Sequence, residues 1–207
     1  MNRSTINLHL GDSLEAMKLI KDNAYDLAIV DPPYGIDASL GGNGSRSKKY
    51  NRTKEKSWDS KPPKQDYFDE LKRVSKNQII WGFNYYLNIS CKHFIVWDKK
   101  QPDGITFAQA ELAYTSFSGT SKIFKYSANG QENRIHPTQK PVKLYEWLLA
   151  NYAKEGDKIL DTHLGSMSIA IACHNLKFDL DGWELDEDYH AAGVKRFEKH
   201  KKQLQLF

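Results

Sequence analysis

The tetrapeptide Asp-Pro-Pro-Tyr, from Asp31 to Tyr34, ends a short apolar run, and Gly35 follows at once. Because proline donates no N–H and fixes its φ angle, this turn is stiff. The Asp31 carboxylate and the Pro32 carbonyl can therefore accept two hydrogen bonds from one flat amino group, while the Tyr34 ring lies against an aromatic ring. Such an arrangement suits chemistry on the exocyclic NH2 of a nucleobase. Taken without the rest of the sequence, these residues are equally consistent with a turn that merely ends a strand.

The segment between Gly41 and Lys64 carries an excess of positive charge, opposed only by Glu55 and Asp59. Its glycines and serines and its lack of a sustained apolar period predict a flexible basic loop over residues 37–64. Such a run is commonly a solvated loop, but it begins a few residues after the proposed pocket, so we favour contact with nucleic-acid phosphates. The residues expected to make that contact are Arg46, Lys48, Lys49 and Arg52.

Strands and helices alternate along the chain. Strands are predicted over residues 6–10, 26–31, 78–82, 93–97, 111–117, 122–126, 157–160 and 178–183. Helices are predicted over residues 14–20, 66–75, 142–152 and 186–201, with a further small-residue helix after Ser166. Ser13 is the expected N-cap of the first helix. This alternation predicts an α/β fold with a mainly parallel, doubly wound sheet and helices on both faces.

Asp31, Asp161 and Glu184 each stand at the carboxyl end of a predicted strand. In open α/β sheets, ligands bind beyond these ends, at the point where the winding reverses. We therefore expect the three acidic residues to share one site.

Two further motifs indicate a ligand-binding site. The pattern Asp161-x-x-x-Gly165-Ser166 before a small-residue helix is typical of a nucleotide-binding loop, where a tight turn lets backbone N–H groups approach a ligand. Glu184, at the end of the next strand, is placed to hold two ribose hydroxyls. By itself this pattern is close to any dinucleotide-binding fold. The hexapeptide His-Pro-Thr-Gln-Lys-Pro over residues 136–141 is more distinctive.

Together these motifs resemble the amino-group DNA methyltransferases that use S-adenosylmethionine, in particular those whose catalytic half precedes the cofactor half. The matching motifs cover nearly the whole chain in the order typical of that family. They are Gly11-Asp12-Ser13-Leu14, Asp31-Pro32-Pro33-Tyr34-Gly35, residues 136–141, Asp161 to Ser166, and Glu184. The resemblance implies a Rossmann-like methyltransferase fold with its halves in permuted order.

The resemblance also implies a cofactor-binding set. Asp12 would contact the adenine of S-adenosylmethionine, Glu184 its ribose, and residues 161–166 its methionine portion. Thr138 and Lys140 would help to bind its amino acid end. The expected cofactor-binding residues are Asp12, Ser13, Asp31, Thr138, Lys140, Asp161, His163, Gly165, Ser166 and Glu184.

The expected catalytic residues are Asp31, Pro32, Pro33 and Tyr34. A tetrapeptide that begins with Asp resembles that of adenine-N6 enzymes, whereas the cytosine-N4 type more often begins with Ser. The implied reaction is site-specific methylation of N6 of an adenine flipped out of double-stranded DNA. The alternatives are a cytosine-N4 enzyme, an RNA adenine methyltransferase, and a DNA-binding homologue that has lost catalysis.

Two residues depart from the family pattern. His163 stands where an aromatic residue is common, and we expect it near the cofactor because its ring still offers a flat face. Met167 stands where glycine or another small residue is usual. Glycine is used where a backbone must approach a ligand closely, so we expect the Met167 side chain to turn into the core.

The composition is that of an ordinary globular protein. The chain has 207 residues, of which 40% are hydrophobic and 27% charged, with a formal net charge of +4. This length predicts a single domain over residues 1–207, and the resemblance implies that it is a methyltransferase domain. No apolar stretch is long enough to cross a bilayer, and the polar start is not a signal peptide. Cys91 and Cys173 lack zinc-site spacing, so we expect a cytoplasmic protein with reduced thiols, no bound metal and no membrane partner.

The element that reads the DNA sequence has two candidates, the basic loop and a target-recognition insertion over residues 98–130. Neither contains a helix-turn-helix or a zinc motif. A short recognition site, or a homodimer whose subunits divide the task, would fit such small segments.

Overall fold

Eight strands form one sheet in the computed structural model, which describes residues 4–36, 59, 61–86, 89–104, 108–127 and 134–204. The strands are β1 (Ile6–Leu10), β2 (Tyr25–Val30), β3 (Ser75–Trp81), β4 (Phe94–Asp98), β5 (Ala110–Thr115), β6 (Lys122–Lys125), β7 (Lys158–Asp161) and β8 (Asp179–Glu184). The helices are α1 (Ser13–Leu19), α2 (Gln65–Val74), α3 (Val142–Tyr152), α4 (Ser168–Leu176) and α5 (Glu187–Leu204), with a short 3₁₀ helix at Phe83–Tyr85. Each predicted strand and helix is present within a few residues of its expected position.

The strand order in the sheet is β1-β8-β7-β2-β3-β5-β4-β6. The strands from β1 to β3 in this order are parallel, whereas β5 runs antiparallel to both β3 and β4. The predicted mainly parallel α/β sheet is therefore confirmed. Because β5 is reversed, its first residues lie at the edge where the parallel strands end.

Helices cover both faces of the sheet, as the alternation of strand side chains requires. In β2, Leu27 and Ile29 point into the core cluster that contains α3 and α4 residues. Ala28 and Val30 point into the opposite cluster, which contains α1 and α2 residues. Within the part of the chain that is described, no helix combines the length and the apolar character that crossing a bilayer requires.

The winding of the sheet reverses between β2 and β7. From β2 the chain passes through α2 to β3 on one side, and from β7 it passes through α4 to β8 on the other side. The segments that follow β2 and β7 therefore separate and leave a crevice between them, which is where open α/β sheets bind ligands. Asp31 and residues 162–167 lie at this crevice.

Met167 turns into the core, as predicted, and is fully buried. It precedes α4 with a φ of +58°, a left-handed conformation that favours glycine. Its side chain packs against Gly193 of α5, where an added Cβ would lie 2.8 Å from Met167 Cγ. The long side chain is thus accommodated by a glycine on the neighbouring helix, away from the crevice.

This pairing predicts that Gly193→Ala lowers the free energy of unfolding by about 1–3 kcal/mol, because the new methyl group overlaps with Met167. Met167→Gly leaves a cavity and is also destabilising, but it removes the overlap. The double variant should therefore lose less stability than the sum of the single losses, as measured by urea unfolding. Gly193→Ala combined with Val74→Ala, on the opposite face of the sheet, is the control and should be additive. Additivity in the Met167 cycle would contradict the pairing.

Candidate active site

The predicted site residues meet in one cavity of about 1080 Å³ at the sheet edge where β2 and β7 end. Small-molecule binding sites in proteins have volumes of roughly 300–1,000 Å³, so the volume of this cavity is at the upper end of that range. All predicted catalytic residues line it, as do all predicted cofactor-binding residues except Asp161. The lining set is Asp12, Ser13, Asp31, Pro32, Pro33, Tyr34, Thr138, Lys140, His163, Gly165, Ser166 and Glu184. The turn at residues 31–34, which is expected to be catalytic and is called the catalytic turn below, therefore faces the same space as the glycine turn at residues 161–166.

The catalytic turn is held by a carboxylate from a later segment. Asp59 Oδ1 accepts hydrogen bonds from the N–H groups of Tyr34, at 2.6 Å, and Gly35, at 3.0 Å. Asp59 is itself buried. The sequence shows Asp59 only as one of two acidic residues in a basic segment. No local pattern indicates that it binds the N–H groups of Tyr34 and Gly35. It fixes the path of the backbone after Pro33.

The Asp31 carboxylate has a partner on each oxygen. Oδ1 accepts a hydrogen bond of 2.6 Å from the Tyr34 hydroxyl, and Oδ2 contacts the Lys140 ammonium. Burial raises the pKa of Asp31, while Lys140 opposes that rise. Because a carboxylate oxygen has two lone pairs, each can still accept one more donor.

The Pro32 carbonyl, predicted as the second acceptor, is already engaged. The Tyr86 hydroxyl donates to the carbonyl oxygens of Pro32, at 3.0 Å, and Pro33, at 3.2 Å. Tyr86 is itself buried. A carbonyl oxygen also has a second lone pair, so Pro32 can accept from a target amino group as well.

The Tyr34 ring is packed on both the backbone and another ring. It stacks on Tyr85 with a centroid distance of 5.0 Å and an interplanar angle of 13°. A Cβ at Gly82, whose φ is +72°, would lie 2.2 Å from Tyr34 Cε1. Gly82 is therefore required for this packing. A base that stacks on Tyr34 must use a face that Tyr85 leaves open or displace Tyr85, which is 42% exposed.

Lys140 makes contacts that the sequence did not indicate. Its ammonium contacts Asp31 and lies 3.0 Å from Glu111 Oε2 and 3.2 Å from the Tyr34 hydroxyl. Glu111 also pairs with Lys99. The geometry thus places Lys140 against the Asp31 carboxylate, and its contact with the amino acid end of the cofactor stays a prediction. Glu111 is not identifiable from the sequence, because its importance depends on the reversed direction of β5.

The cofactor side of the cavity contains Asp12 and Glu184. Asp12, and not Ser13, is the N-cap of α1, accepting from the N–H of Leu14 at 2.8 Å. The prediction for Ser13 was therefore wrong by one residue, and Ser13 begins the helix. Glu184 Oε2 accepts from the Gly165 N–H at 2.7 Å, which ties the end of β8 to the glycine turn.

His163 lies on the cavity wall, as predicted. Its Nδ1 is 2.9 Å from Thr162 Oγ1, which is 2.6 Å from the Tyr67 hydroxyl. Burial lowers the pKa of His163 to about 4. The ring is therefore neutral near pH 7 and presents no positive charge to the cavity.

Asp161 supports the loop from behind instead of lining the cavity. It is 1% exposed, and its Oδ1 accepts from the His163 N–H at 2.9 Å. Burial raises the pKa of Asp161 to about 8, despite the opposing hydrogen bond from His163. Its role is to shape the turn that carries His163 and Gly165.

Arg196 is a second support that the sequence did not indicate. From α5 its Nη1 donates to the Ser166 carbonyl at 2.6 Å and to Ser168 Oγ at 3.0 Å. It occupies the interior of a predicted amphipathic helix, where an arginine carries no signal of a long-range contact. It fixes the end of the glycine turn.

The predicted DNA-binding residues Arg46, Lys48, Lys49 and Arg52 lie outside the described residues. Lys61 and Lys64, at the end of the basic loop, line the cavity. The described parts of residues 98–130 contribute β5 and β6 to the sheet, so much of the candidate recognition segment is also structural.

The buried Asp161 predicts a pH-dependent gain in stability for Asp161→Asn, which keeps an acceptor for the His163 N–H. Between a pKa of about 4 in the unfolded chain and about 8 in the folded one, the folded state holds a proton that the unfolded state has lost. Stability therefore falls as pH rises through this window. The variant should be more stable than the parent at pH 8.5, by on the order of a few kcal/mol, with the gain vanishing near pH 4. Urea unfolding at several pH values tests this, and an unchanged or lower stability at pH 8.5 would contradict it.

Comparison with known proteins agrees with this geometry. The Type II methyltransferase M.HpaI of Haemophilus parainfluenzae is 23% identical, over 90% of this chain and 72% of that protein. The crystal structure of the M1.HpyAVI–SAM complex has a TM-score of 0.64 and 21% identity, covering 92% of this chain and 98% of that one. The PvuII DNA methyltransferase, described as cytosine-N4-specific, has a TM-score of 0.64 and 14% identity, covering 97% and 92%. These likenesses confirm the Rossmann-like methyltransferase fold.

The family model for N6/N4 methyltransferases, described as DNA methylase, matches residues 80–195, which is more than half of the chain. The match includes the hexapeptide at residues 136–141, the glycine turn and Glu184, which line the cavity described above. The chain belongs to the N6/N4 DNA methylase family.

Proposed function

We propose that this protein is a site-specific DNA methyltransferase that transfers a methyl group from S-adenosylmethionine to N6 of an adenine flipped out of double-stranded DNA. One observation carries the proposal. Asp31 and the glycine turn at Gly165 line the same cavity, at the crevice between β2 and β7, in a chain of the N6/N4 DNA methylase family.

The cofactor side of the cavity fits S-adenosylmethionine. Glu184 accepts hydrogen bonds from the backbone N–H groups of Gly165, at 2.7 Å, and Asp186, at 2.9 Å. Because a carboxylate has about four acceptor sites, it can also accept from a ribose hydroxyl. The carboxylates of Asp12, Asp31 and Glu184 favour a ligand that carries positive charge. The neutral His163 adds no repulsion. M1.HpyAVI, which shares the fold, was solved with SAM.

On the catalytic side, this chain's residues act on the amino group. When bound, S-adenosylmethionine supplies an electrophilic methyl group on a sulfonium. The exocyclic nitrogen is a poor nucleophile because its lone pair is delocalised into the purine ring. Hydrogen bonds to Asp31 and the Pro32 carbonyl draw the nitrogen toward tetrahedral geometry and localise the lone pair. Such positioning can contribute about 7–11 kcal/mol.

The transfer needs no covalent intermediate with the enzyme. A bound cofactor would lose its methyl group through cleavage of the C–S bond as the N–C bond forms, and the amino nitrogen would take over the positive charge. That nitrogen then releases a proton, and the Asp31 carboxylate accepts it. Asp31 suits this role because burial raises its pKa while Lys140 keeps the ionised form paired.

The choice of adenine rests on the Asp-Pro-Pro-Tyr form of the catalytic turn, which resembles that of adenine-N6 enzymes. Cytosine N4 is the second candidate, because the PvuII enzyme of the same fold is cytosine-N4-specific. Both bases present an exocyclic amino group to the same acceptors. Analysis of the product is therefore the decisive observation.

DNA is the proposed partner, and the target base must leave the duplex at a cost of a few kcal/mol. The basic loop begins shortly after the catalytic turn, and its end lines the cavity at Lys61 and Lys64. Lysine and arginine side chains there would neutralise phosphates beside the flipped nucleotide.

Asp31→Asn is predicted to reduce methyl transfer by at least about 100-fold, since it removes the proton acceptor, while S-adenosylmethionine binding weakens far less because the Asp12 and Glu184 carboxylates remain. Transfer of labelled methyl groups to duplex DNA and calorimetric titration of the cofactor measure the two effects. Asp22→Asn, an exposed change of the same kind, is the control. Normal transfer by Asp31→Asn would disprove the assignment of the catalytic turn.

The same reactions identify the base when the DNA is digested and its nucleosides are resolved by mass spectrometry. N6-methyladenine is expected. Detection of N4-methylcytosine would overturn the assignment of adenine as the target but would keep the assignment of the protein as a DNA methyltransferase. Methylation of structured RNA in preference to duplex DNA would overturn the substrate class.

Replacing Lys48, Lys49 and Arg52 by Ala is predicted to weaken DNA binding and flatten its salt dependence. Each phosphate contact contributes about 0.9 to the slope of log affinity against log salt, so three lost contacts lower it by about 2.7. The matched control replaces three exposed lysines of α5, Lys195, Lys199 and Lys202, which removes the same charge elsewhere. A slope reduced equally by both triple variants would exclude the basic loop as a specific contact.

A further inference from the structure

Four charged side chains of alternating sign run along one wall of the cavity. In order they are Lys99, Glu111, Lys140 and Asp31, and each contacts the next. They come from the end of β4, the start of β5, the loop before α3 and the end of β2. The Lys140 side chain is 2% exposed. Only Asp31 and Lys140 belong to the motifs found in the sequence.

From this arrangement we propose that Glu111 is a positioning residue for methyl transfer, which shares the Lys140 ammonium with Asp31 so that Asp31 remains a strong acceptor for the target amino group. The proposal adds a residue to the proposed methyl transfer and rests on that proposed function.

Lys140 must be paired because a buried ammonium without a partner is very costly. If Asp31 were its only carboxylate partner, Lys140 would interact with Asp31 alone and would compete with the substrate amino group for the same oxygens. Glu111 Oε2, 3.0 Å from Lys140 Nζ, offers the ammonium a second partner. Lys99 in turn anchors the other Glu111 oxygen. Asp31 therefore receives only part of the positive charge.

The surroundings of Asp31 support this division. Burial raises its pKa, Glu111 raises it further, and Lys140 and the Tyr34 hydroxyl lower it. The other groups that face Asp31 are Asp161 of β7, whose own pKa Asp31 helps to raise, and three hydroxyls, those of Tyr67 of α2, Tyr86 after the 3₁₀ helix and Tyr145 of α3. Burial acts on Glu111 too, but Lys140 and Lys99 outweigh it and lower the pKa of Glu111 to about 2. Glu111 thus stays ionised, and Asp31 is the more basic carboxyl.

This row of four charges predicts opposite effects for substitutions of Glu111 and Lys99. Glu111→Gln frees Lys140 to act on Asp31 alone, so the ionisation midpoint of Asp31 should fall by about one pH unit, tenfold in its acid dissociation constant. Lys99→Gln leaves Glu111 dependent on Lys140, so less positive charge acts on Asp31 and its midpoint should rise. Glu146→Gln is the control, because Glu146 pairs with Lys143 and Asn175 outside the cavity.

The first measurement is the pH titration of the Asp31 carboxyl carbon by NMR, in ¹³C-aspartate-labelled protein without cofactor, with the signal assigned through Asp31→Asn. The second is the pH profile of single-turnover methyl transfer. Its acid limb should move to lower pH in Glu111→Gln, with a plateau about tenfold lower, and to higher pH in Lys99→Gln. Glu111→Asp should restore part of the parental profile.

The outcomes separate the two proposals. If the parental protein transfers no methyl group but the NMR midpoint shifts as predicted, the proposed function is wrong. The effect of Glu111 on the ionisation of Asp31 would still stand. Normal parental transfer with an unshifted Asp31 midpoint in both variants would overturn the role of Glu111. An equal loss of rate at every pH with no midpoint change would reduce Glu111 to a structural residue, and circular dichroism identifies any variant that fails to fold.

Discussion

The contact between the Lys140 ammonium and the Asp31 carboxylate is the interaction on which the rest of the site depends. Removing a charge from water costs several kcal/mol unless a partner compensates, and deleting one member of a buried pair typically costs about 3–5 kcal/mol. The loop that precedes α3 is therefore held against the end of β2. Because that loop also carries His136 and Thr138 to the cavity, one ion pair sets the distance between the catalytic turn and the cofactor side.

The order of the strands explains why two distant parts of the sequence can cooperate. β2 and β7 are neighbours although well over a hundred residues separate them, and their following segments leave in opposite directions. Each segment is then fixed by a carboxylate from elsewhere, Asp59 for the catalytic turn and Glu184 for the glycine turn. In both cases an acidic side chain accepts a backbone N–H that would otherwise lack a partner. Each wall of the crevice is thus held by a hydrogen bond from within the protein.

The sequence predicted the elements, the parallel sheet and the cavity-lining motifs, because periodicity and turn chemistry are local properties. It did not predict Glu111, Lys99 or Asp59, whose roles depend on strand direction and long-range pairing. Strand β5 shows the difficulty: its apolar pattern is correctly read as a strand, but only its antiparallel pairing with β3 and β4 brings Glu111 to the active edge. Ser13 and Asp12 are both good N-caps, and the choice between them is made by the start of α1. Lys140 was recognisable as functional, but its partner was not.

The acceptors proposed for the target amino group are all engaged before any base enters, Asp31 by Tyr34 and Lys140, and Pro32 by Tyr86. This follows from burial, since an unpaired polar group in such a place costs about 1–3 kcal/mol. It also limits what the substrate can gain, because each new hydrogen bond uses a second lone pair. Binding strength from these bonds is therefore modest, and their value lies in direction: the acceptors are already aligned and need not reorganise during the reaction. A site of this kind favours the geometry of transfer over tight binding of the base, which leaves affinity to stacking and to contacts with the DNA backbone.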